Sequence, residues 1–142
     1  MRFWDSSALV PLVVRQPGSA EAERWMAEDA DAVTWTLTQV EVVSALRRLV
    51  RDGLLAERSA AQAESVCDEL LARSHVVTDV ERAKEVARRL LRVHALRAAD
   101  ALQLAAALAW AEGRPTGLTL HTFDVRLALA AEREGFRIPT ET

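Results

Sequence analysis

The first ten residues narrow the choice of fold most. Arg2-Phe3-Trp4 is a short strand-prone run that stops on an acid, Asp5, and the pattern then changes to a helix-like run from Ser6 to Val14. Asp5 therefore stands at the carboxyl end of a strand, which is where open α/β sheets bind ligands. Three later acids, Glu41, Asp100 and Asp124, fall at comparable junctions, just before or just inside the start of an expected helix. Their recurrence is the main clue to function.

The rest of the chain repeats this alternation. Gln16-Pro17-Gly18 is a turn, and Ser19 is placed to cap a helix from Ala20 to about Glu28. Ala32 to Leu37 alternates and reads as a strand. Thr38-Gln39-Val40-Glu41 has the spacing of a capping box and opens a helix to about Arg51, stopped by Asp52-Gly53. A further amphipathic helix covers Ala56 to Ala72, and His75-Val76-Val77 is a short strand. Thr78-Asp79-Val80-Glu81 repeats the capping-box spacing ahead of a basic helix from Arg82 to about Val93. Ala101 to Trp110 is apolar on nearly every face, so it is expected to be buried. After a loop from Glu112 to Thr116 come a strand at Gly117–Leu120, a last long helix from Val125 to Glu134 closed by Gly135, and a terminal strand at Phe136-Arg137-Ile138. Strands alternating with helices predict a three-layer α/β/α sandwich around a mainly parallel sheet of four to five strands.

Bulk properties fit one domain over residues 1–142. Half the residues are apolar, 27% are charged, and Pro and Gly are sparse, which argues against disorder. The run from Ala8 to Val14 is short, contains Pro11 and follows an acid, so neither a signal peptide nor a membrane span is expected, and the cytoplasm is the default compartment. Cys67, the only cysteine, reads as a small buried hydrophobe. Net charge is −3, so the molecule as a whole does not attract nucleic acid. Basic residues nevertheless cluster: Arg82, Lys84, Arg88, Arg89, Arg92 and Arg97 face only Glu85 in their segment, and Arg47, Arg48 and Arg51 follow Glu41. On local charge alone, a solvated helix face accounts for the larger cluster better than an RNA contact does.

Each acid also has a plain structural explanation. Asp5 and Asp124 are placed to cap the helices that follow them, and a capping box accounts for Glu41 completely. Asp100 is harder to dismiss, because it heads an almost wholly apolar helix where an unpaired carboxylate loses several kcal/mol of hydration. A salt bridge to Arg97 is the structural alternative. If the fold gathers all four acids, like charges about 4 Å apart repel by roughly 1 to 4 kcal/mol per pair, and the cluster needs a cation. Carboxylate ligation with Ser6 or Ser7 and water suits Mg²⁺ or Mn²⁺, and the lack of a Cys/His cluster argues against zinc. His121 reads as a loop histidine rather than a ligand. Trp25, Trp35 and Trp110 lie in apolar patterns and read as core or dimer contacts. A carboxylate-held divalent ion suits phosphodiester hydrolysis. Neither a GxxxxGK[ST] loop nor a GxGxxG fingerprint is present to cradle a nucleotide.

Four segments in order resemble one family across nearly the whole length. They are Asp5-Ser6-Ser7-Ala8-Leu9-Val10, then Thr38-Gln39-Val40-Glu41 with Ser44-Ala45-Leu46, then Leu96 to Ala105 around Asp100, and finally Thr122-Phe123-Asp124 with Arg126-Leu127 and Ala130-Ala131. The chain resembles a PIN-domain ribonuclease, specifically a VapC-type toxin of a bacterial type II toxin–antitoxin pair. That resemblance implies a Mg²⁺ site made by Asp5, Glu41, Asp100 and Asp124, supported by hydrogen bonds from Ser7 and Thr122. It implies cleavage of structured RNA, often tRNA or ribosomal RNA, a homodimer, and neutralisation by a small antitoxin protein. Many members carry another acid one helical turn after the third. Here Gln103 and Leu104 stand at the third and fourth positions after Asp100, so one metal ion or two stays open. Arg88, Arg92 and Arg97 are the expected holders of flanking phosphates.

Rival readings meet specific obstacles. A haloacid-dehalogenase-type phosphatase needs an acid two residues after its nucleophile, where this chain has Ser7; a phosphoacceptor receiver needs a lysine ending a late strand, and the only lysine is Lys84 in a helix. An inactive PIN-like binding module and a housekeeping RNA-processing nuclease remain as alternatives. Retention of all four acids counts against the first, and an adjacent antitoxin reading frame separates the toxin from the second.

Overall fold

The computed structural model describes residues 1–139. Its elements are β1 (Arg2–Trp4), α1 (Ser6–Val13), α2 (Ser19–Glu28), β2 (Ala32–Trp35), α3 (Thr38–Arg51), α4 (Glu57–Arg73), β3 (His75–Val77), α5 (Val80–Val93), α6 (Ala98–Trp110), β4 (Leu120–His121) and α7 (Val125–Glu134). The strands form one parallel sheet in the order β3-β2-β1-β4, with Phe3 in register with both Val33 and Leu120. The expected α/β/α sandwich is therefore what forms.

Topology follows from the handedness of parallel crossovers. From β1 to β2 to β3 the chain steps one way, so α1 to α4 lie on one face; the return from β3 to β4 steps the other way, so α5 and α6 lie on the opposite face. Side-chain alternation obeys this division. Phe3, Val33, Trp35, Val77 and Leu120 pack with α5, α6 and α7, whereas Trp4 packs with Ala8, Leu9, Trp25, Val42 and Leu46. Phe3 is fully buried, a burial that contributes roughly 1.5 to 3 kcal/mol. The apolar α6 is sunk against the sheet, with Ala101 and Leu104 to Ala107 wholly inaccessible. Trp25 and Trp35 are core residues, and Trp110 is half-buried against the α6 cluster. Cys67 is buried, which pushes its thiol up to about 11 and leaves it inert.

Several boundaries differ from the sequence reading for local reasons. Strand β2 stops at Trp35, and Thr36 and Leu37 form the turn into α3. The strand expected at Gly117–Leu120 is shifted to Leu120–His121, because Gly117 takes a φ of +84° and the Leu118 amide donates to Pro115 O at 2.9 Å, making 115–118 a turn. The terminal strand shrinks to a single bridge between Thr119 and Arg137. Ser19 lies inside α2 behind Gly18; its hydroxyl donates to Pro11 O at 2.7 Å and accepts from the Gln16 amide at 2.8 Å, tying α2 to α1.

His121 is the largest correction. It is no loop residue but the last residue of β4, fully buried, with its ring stacked on Trp25 at 4.4 Å and tilted against Trp4 at 4.6 Å. Burial pushes its pKa down to about 3. Nε2 faces the Arg2 guanidinium at 3.4 Å, so it is the acceptor and the proton sits on Nδ1.

Candidate active site

Strand order reverses at β1, whose neighbours are β2 on one side and β4 on the other. The carboxyl end of β1 is thus a topological switch point, where adjacent connections leave to opposite faces and open a crevice. Asp5 follows β1 and Asp124 follows β4. Glu41 is in the first turn of α3 after β2, and Asp100 is in the first turn of α6 on the opposite layer. All four acids line one cavity of about 470 Å³, together with Ser6, Ser7, Ser44 and Arg48.

Asp5 is the most firmly held. It is 2% exposed, and its Oδ2 accepts from the Ser7 hydroxyl at 2.6 Å, the Thr122 hydroxyl at 2.8 Å and the Ser7 amide at 3.3 Å. Both hydroxyls in turn accept backbone hydrogens, Ser7 Oγ from the Phe123 amide at 2.9 Å and Thr122 Oγ1 from the Asp124 amide at 3.0 Å. Each hydroxyl has one proton and spends it on Asp5, so their 3.1 Å approach is a contact between acceptors. The pair relays two amides of the β4–α7 junction to the end of β1. Oδ1 has only a long 3.4 Å contact with the Ser6 hydroxyl. Burial raises the Asp5 pKa, and the Ser7 and Thr122 hydrogen bonds oppose that rise.

Glu41 is not a capping-box residue. Leu37 is the N-cap of α3 and makes no side-chain cap, while Thr38 is buried inside the helix. Glu41 turns towards the cavity and accepts from Gln103 Nε2 at 2.5 Å. Its pKa is raised by burial first and also by the nearby charges of Asp5 and Asp100; hydrogen bonds from Gln103 and Ser6 pull it back. Asp100 is pushed up to about 6, again by burial first, then by Asp124 and Asp5, with weaker attraction from Arg97 and Arg126. The salt bridge offered by the sequence does not form: Arg97 is the N-cap of α6 and makes no ion pair with Asp100. Asp124 keeps its capping role, accepting from the Leu127 amide at 2.8 Å, while also lining the cavity.

Among the described residues, none of these four acids is in an ion pair. Nor do any three Asp, Glu, His or Cys side chains stand close enough together to grip an ion as a ready-made cage. The acids are spread around the cavity instead of converging on a point. That donor set fits a hydrated divalent ion held directly by one or two carboxylates, with water completing its shell, and it fits poorly with zinc.

Arginines are distributed differently from the expectation. Arg48, one of the smaller cluster after Glu41, lines the cavity. Arg97 stands three residues from Asp100 at the head of α6. Arg88 and Arg92 are exposed on α5 and do not line the cavity. Two contributors were absent from the sequence reading of the site. The helical spacing of Arg48, seven residues after Glu41 and so on the same face of α3, was a usable signal. Gln103, a buried amide in an apolar helix, was another.

The geometry has counterparts. The PIN domain family model matches residues 2–133. Ribonuclease VapC45 and Ribonuclease VapC49, from two Mycobacterium tuberculosis strains, are each 36% identical over 137 residues, covering 96% of this chain and 92% of theirs. Among solved structures, a toxin–antitoxin complex from Klebsiella pneumoniae superposes with a TM-score of 0.68 at 16% identity, over 99% of this chain and 97% of that one. VapC20 of Mycobacterium tuberculosis, described as a sarcin–ricin loop cleaving toxin, gives 0.65 at 20% identity, over 92% and 95%. On the extent of the family match and the level of identity to the two VapC ribonucleases, the chain belongs to the PIN-domain family.

Proposed function

We propose that this chain is a Mg²⁺-dependent endoribonuclease, the toxin of a type II toxin–antitoxin pair, hydrolysing phosphodiester bonds of structured RNA such as tRNA or ribosomal RNA. One observation carries the reading: four carboxylates, none of them in an ion pair among the described residues, line one cavity at the switch point of the sheet. PIN-domain ribonucleases are generally dependent on a divalent metal, and Mg²⁺, with Mn²⁺ as a substitute, is the ion this oxygen set suits.

Asp5, Glu41, Asp100 and Asp124 would hold the ion, one or two of them directly and the others through its water shell. When bound, it supplies a polarised phosphate oxygen and a water of lowered pKa. The residues of the chain do the positioning. Ser7 and Thr122 occupy Asp5 Oδ2 and leave Oδ1 for the cavity, and Gln103 occupies Glu41 Oε2 in the same way. Arg48 offers a planar fork to a phosphate oxygen at the cavity wall, and Arg97 offers a second at the head of α6. Arg88 and Arg92 are assigned an outer contact with flanking phosphates, one that governs affinity and its salt dependence more than turnover.

An antitoxin protein and a second copy of the chain are the proposed protein partners, in the cytoplasm. The superposition on a toxin–antitoxin complex supports the first. Exposed Val125 and Leu129 on α7, and Leu91 and Val93 on α5, supply apolar surface for such association. No helix among the described residues is long and apolar enough to cross a membrane.

The test is cleavage of total bacterial RNA by purified protein, with Mg²⁺ or with chelator, comparing wild type with Asp100→Asn. Mg²⁺-dependent cuts at discrete sites that vanish in the variant are expected. Identical behaviour of two folded proteins would overturn the proposal.

A further inference from the structure

Gln103 is the one polar side chain buried along the apolar stretch of α6, with no exposed surface at all. Both hydrogens of its amide are used: Nε2 donates to Thr38 Oγ1 at 3.0 Å and to Glu41 Oε2 at 2.5 Å. Its Oε1 is buried with no hydrogen-bond partner. The orientation is dictated by chemistry, because only the NH₂ end can face an ionised carboxylate.

An unpartnered buried amide oxygen destabilises a fold. A methionine or leucine here would remove that orphan, at the cost of the hydrogen bond that Thr38 Oγ1 accepts. The chain keeps the amide, and its single charged beneficiary is Glu41. We infer that Gln103 is the positioning residue for Glu41: it reaches across from the opposite layer, fixes Oε2, and thereby aims Oε1 at the cavity. Thr38, on the same helix as Glu41, anchors the other amide hydrogen, so the amide cannot rotate away. The inference rests on the metal-dependent nuclease reading of this cavity and names a residue outside its acids.

The experiment uses the full chain and Mn²⁺ alone as the binding probe, titrated without RNA and followed by electron paramagnetic resonance. Gln103→Met is expected to stay folded, with a melting temperature near that of the wild type, yet to bind Mn²⁺ about 10- to 100-fold more weakly, the usual effect of removing a group that orients a metal ligand. Turnover is expected to fall with the KM for RNA unchanged. Glu41→Gln is the reference, and the double variant is expected to be no worse than Glu41→Gln alone, since Gln103 acts through Glu41. Gln103→Leu repeats the measurement if Gln103→Met fails to fold. Undiminished Mn²⁺ affinity in a folded Gln103 variant, or additive losses in the double variant, would overturn the inference. If Glu41→Gln itself leaves Mn²⁺ affinity unchanged, the acidic-site reading fails instead.

Discussion

Thr38-Gln39-Val40-Glu41 and Thr78-Asp79-Val80-Glu81 have the same spacing, yet the fold uses them for opposite purposes. In the first, Thr38 is buried, no side chain caps the helix, and Glu41 is turned into the cavity beneath Gln103. In the second, Asp79 takes the capping role by accepting from the Arg82 amide at 3.0 Å, and Glu81 sits in solvent beside Lys84 at 3.1 Å. Elsewhere on the outer surface acids are likewise paired, Glu134 with Arg89 at 2.7 Å and with His94, and Glu57 with Arg47. These surface glutamates have cationic neighbours. Among the described residues the four cavity acids form no ion pair, which leaves their carboxylates open to a divalent cation.

The sharpest way to break this contrast is to neutralise both glutamates separately. Glu41→Gln is expected to lower RNA cleavage by about 100-fold or more, while Glu81→Gln leaves it unchanged; equal effects in a cleavage assay would erase the distinction. A second contrast concerns pH. His121 has its pKa depressed to about 3 against 6.5 when unfolded, so the unfolded chain takes up the proton first. Its contribution is complete above pH 6.5 and declines as pH falls towards 3, by at most about 1.4 kcal/mol per unit. Urea titrations at pH 7 and pH 5 are expected to show that slope in wild type and a flatter one in His121→Leu.

Smaller effects sharpen the comparison further. A Cβ on Gly18 would lie 2.9 Å from the Phe123 ring, next to Asp124, so Gly18→Ala is expected to cost about 1 to 3 kcal/mol of stability and to disturb cleavage as well. Thermal melting and activity together check it. At the outer box, Asp79→Ala is expected to cost about 1 kcal/mol with activity intact, while Thr78→Val costs less, because Thr78 is not the cap. Denaturant midpoints of the two variants decide which residue caps α5.

The order of strands and helices was legible because burial on both sheet faces and the apolar α6 leave strong patterns. Asp5, Glu41 and Asp124 were legible because each lies where a strand gives way to a helix, and Asp100 because it is a carboxylate at the head of an apolar helix. What the sequence hid was direction. Spacing places Glu41 at the start of a helix, but whether it bends back to the backbone or across to α6 depends on Gln103, sixty-two positions later. The placing of His121 was missed for a related reason: the register of β4 is set by pairing of Trp4 with His121, a contact between residues far apart in the sequence. Arg88 and Arg92 looked important as part of a run, whereas the cavity wall takes its arginine from the shorter cluster, at Arg48.

The hydroxyl relay from Thr122 to Asp5 joins residues separated by 117 positions. A ribosome that has released the chain only as far as α6 has delivered three of the four acids, with nothing from β4 to fasten the first. Until β4 follows, Asp5 Oδ2 keeps only its hydrogen bonds from Ser7, and the acid-lined cavity is completed only when β4 and the start of α7 dock beside β1.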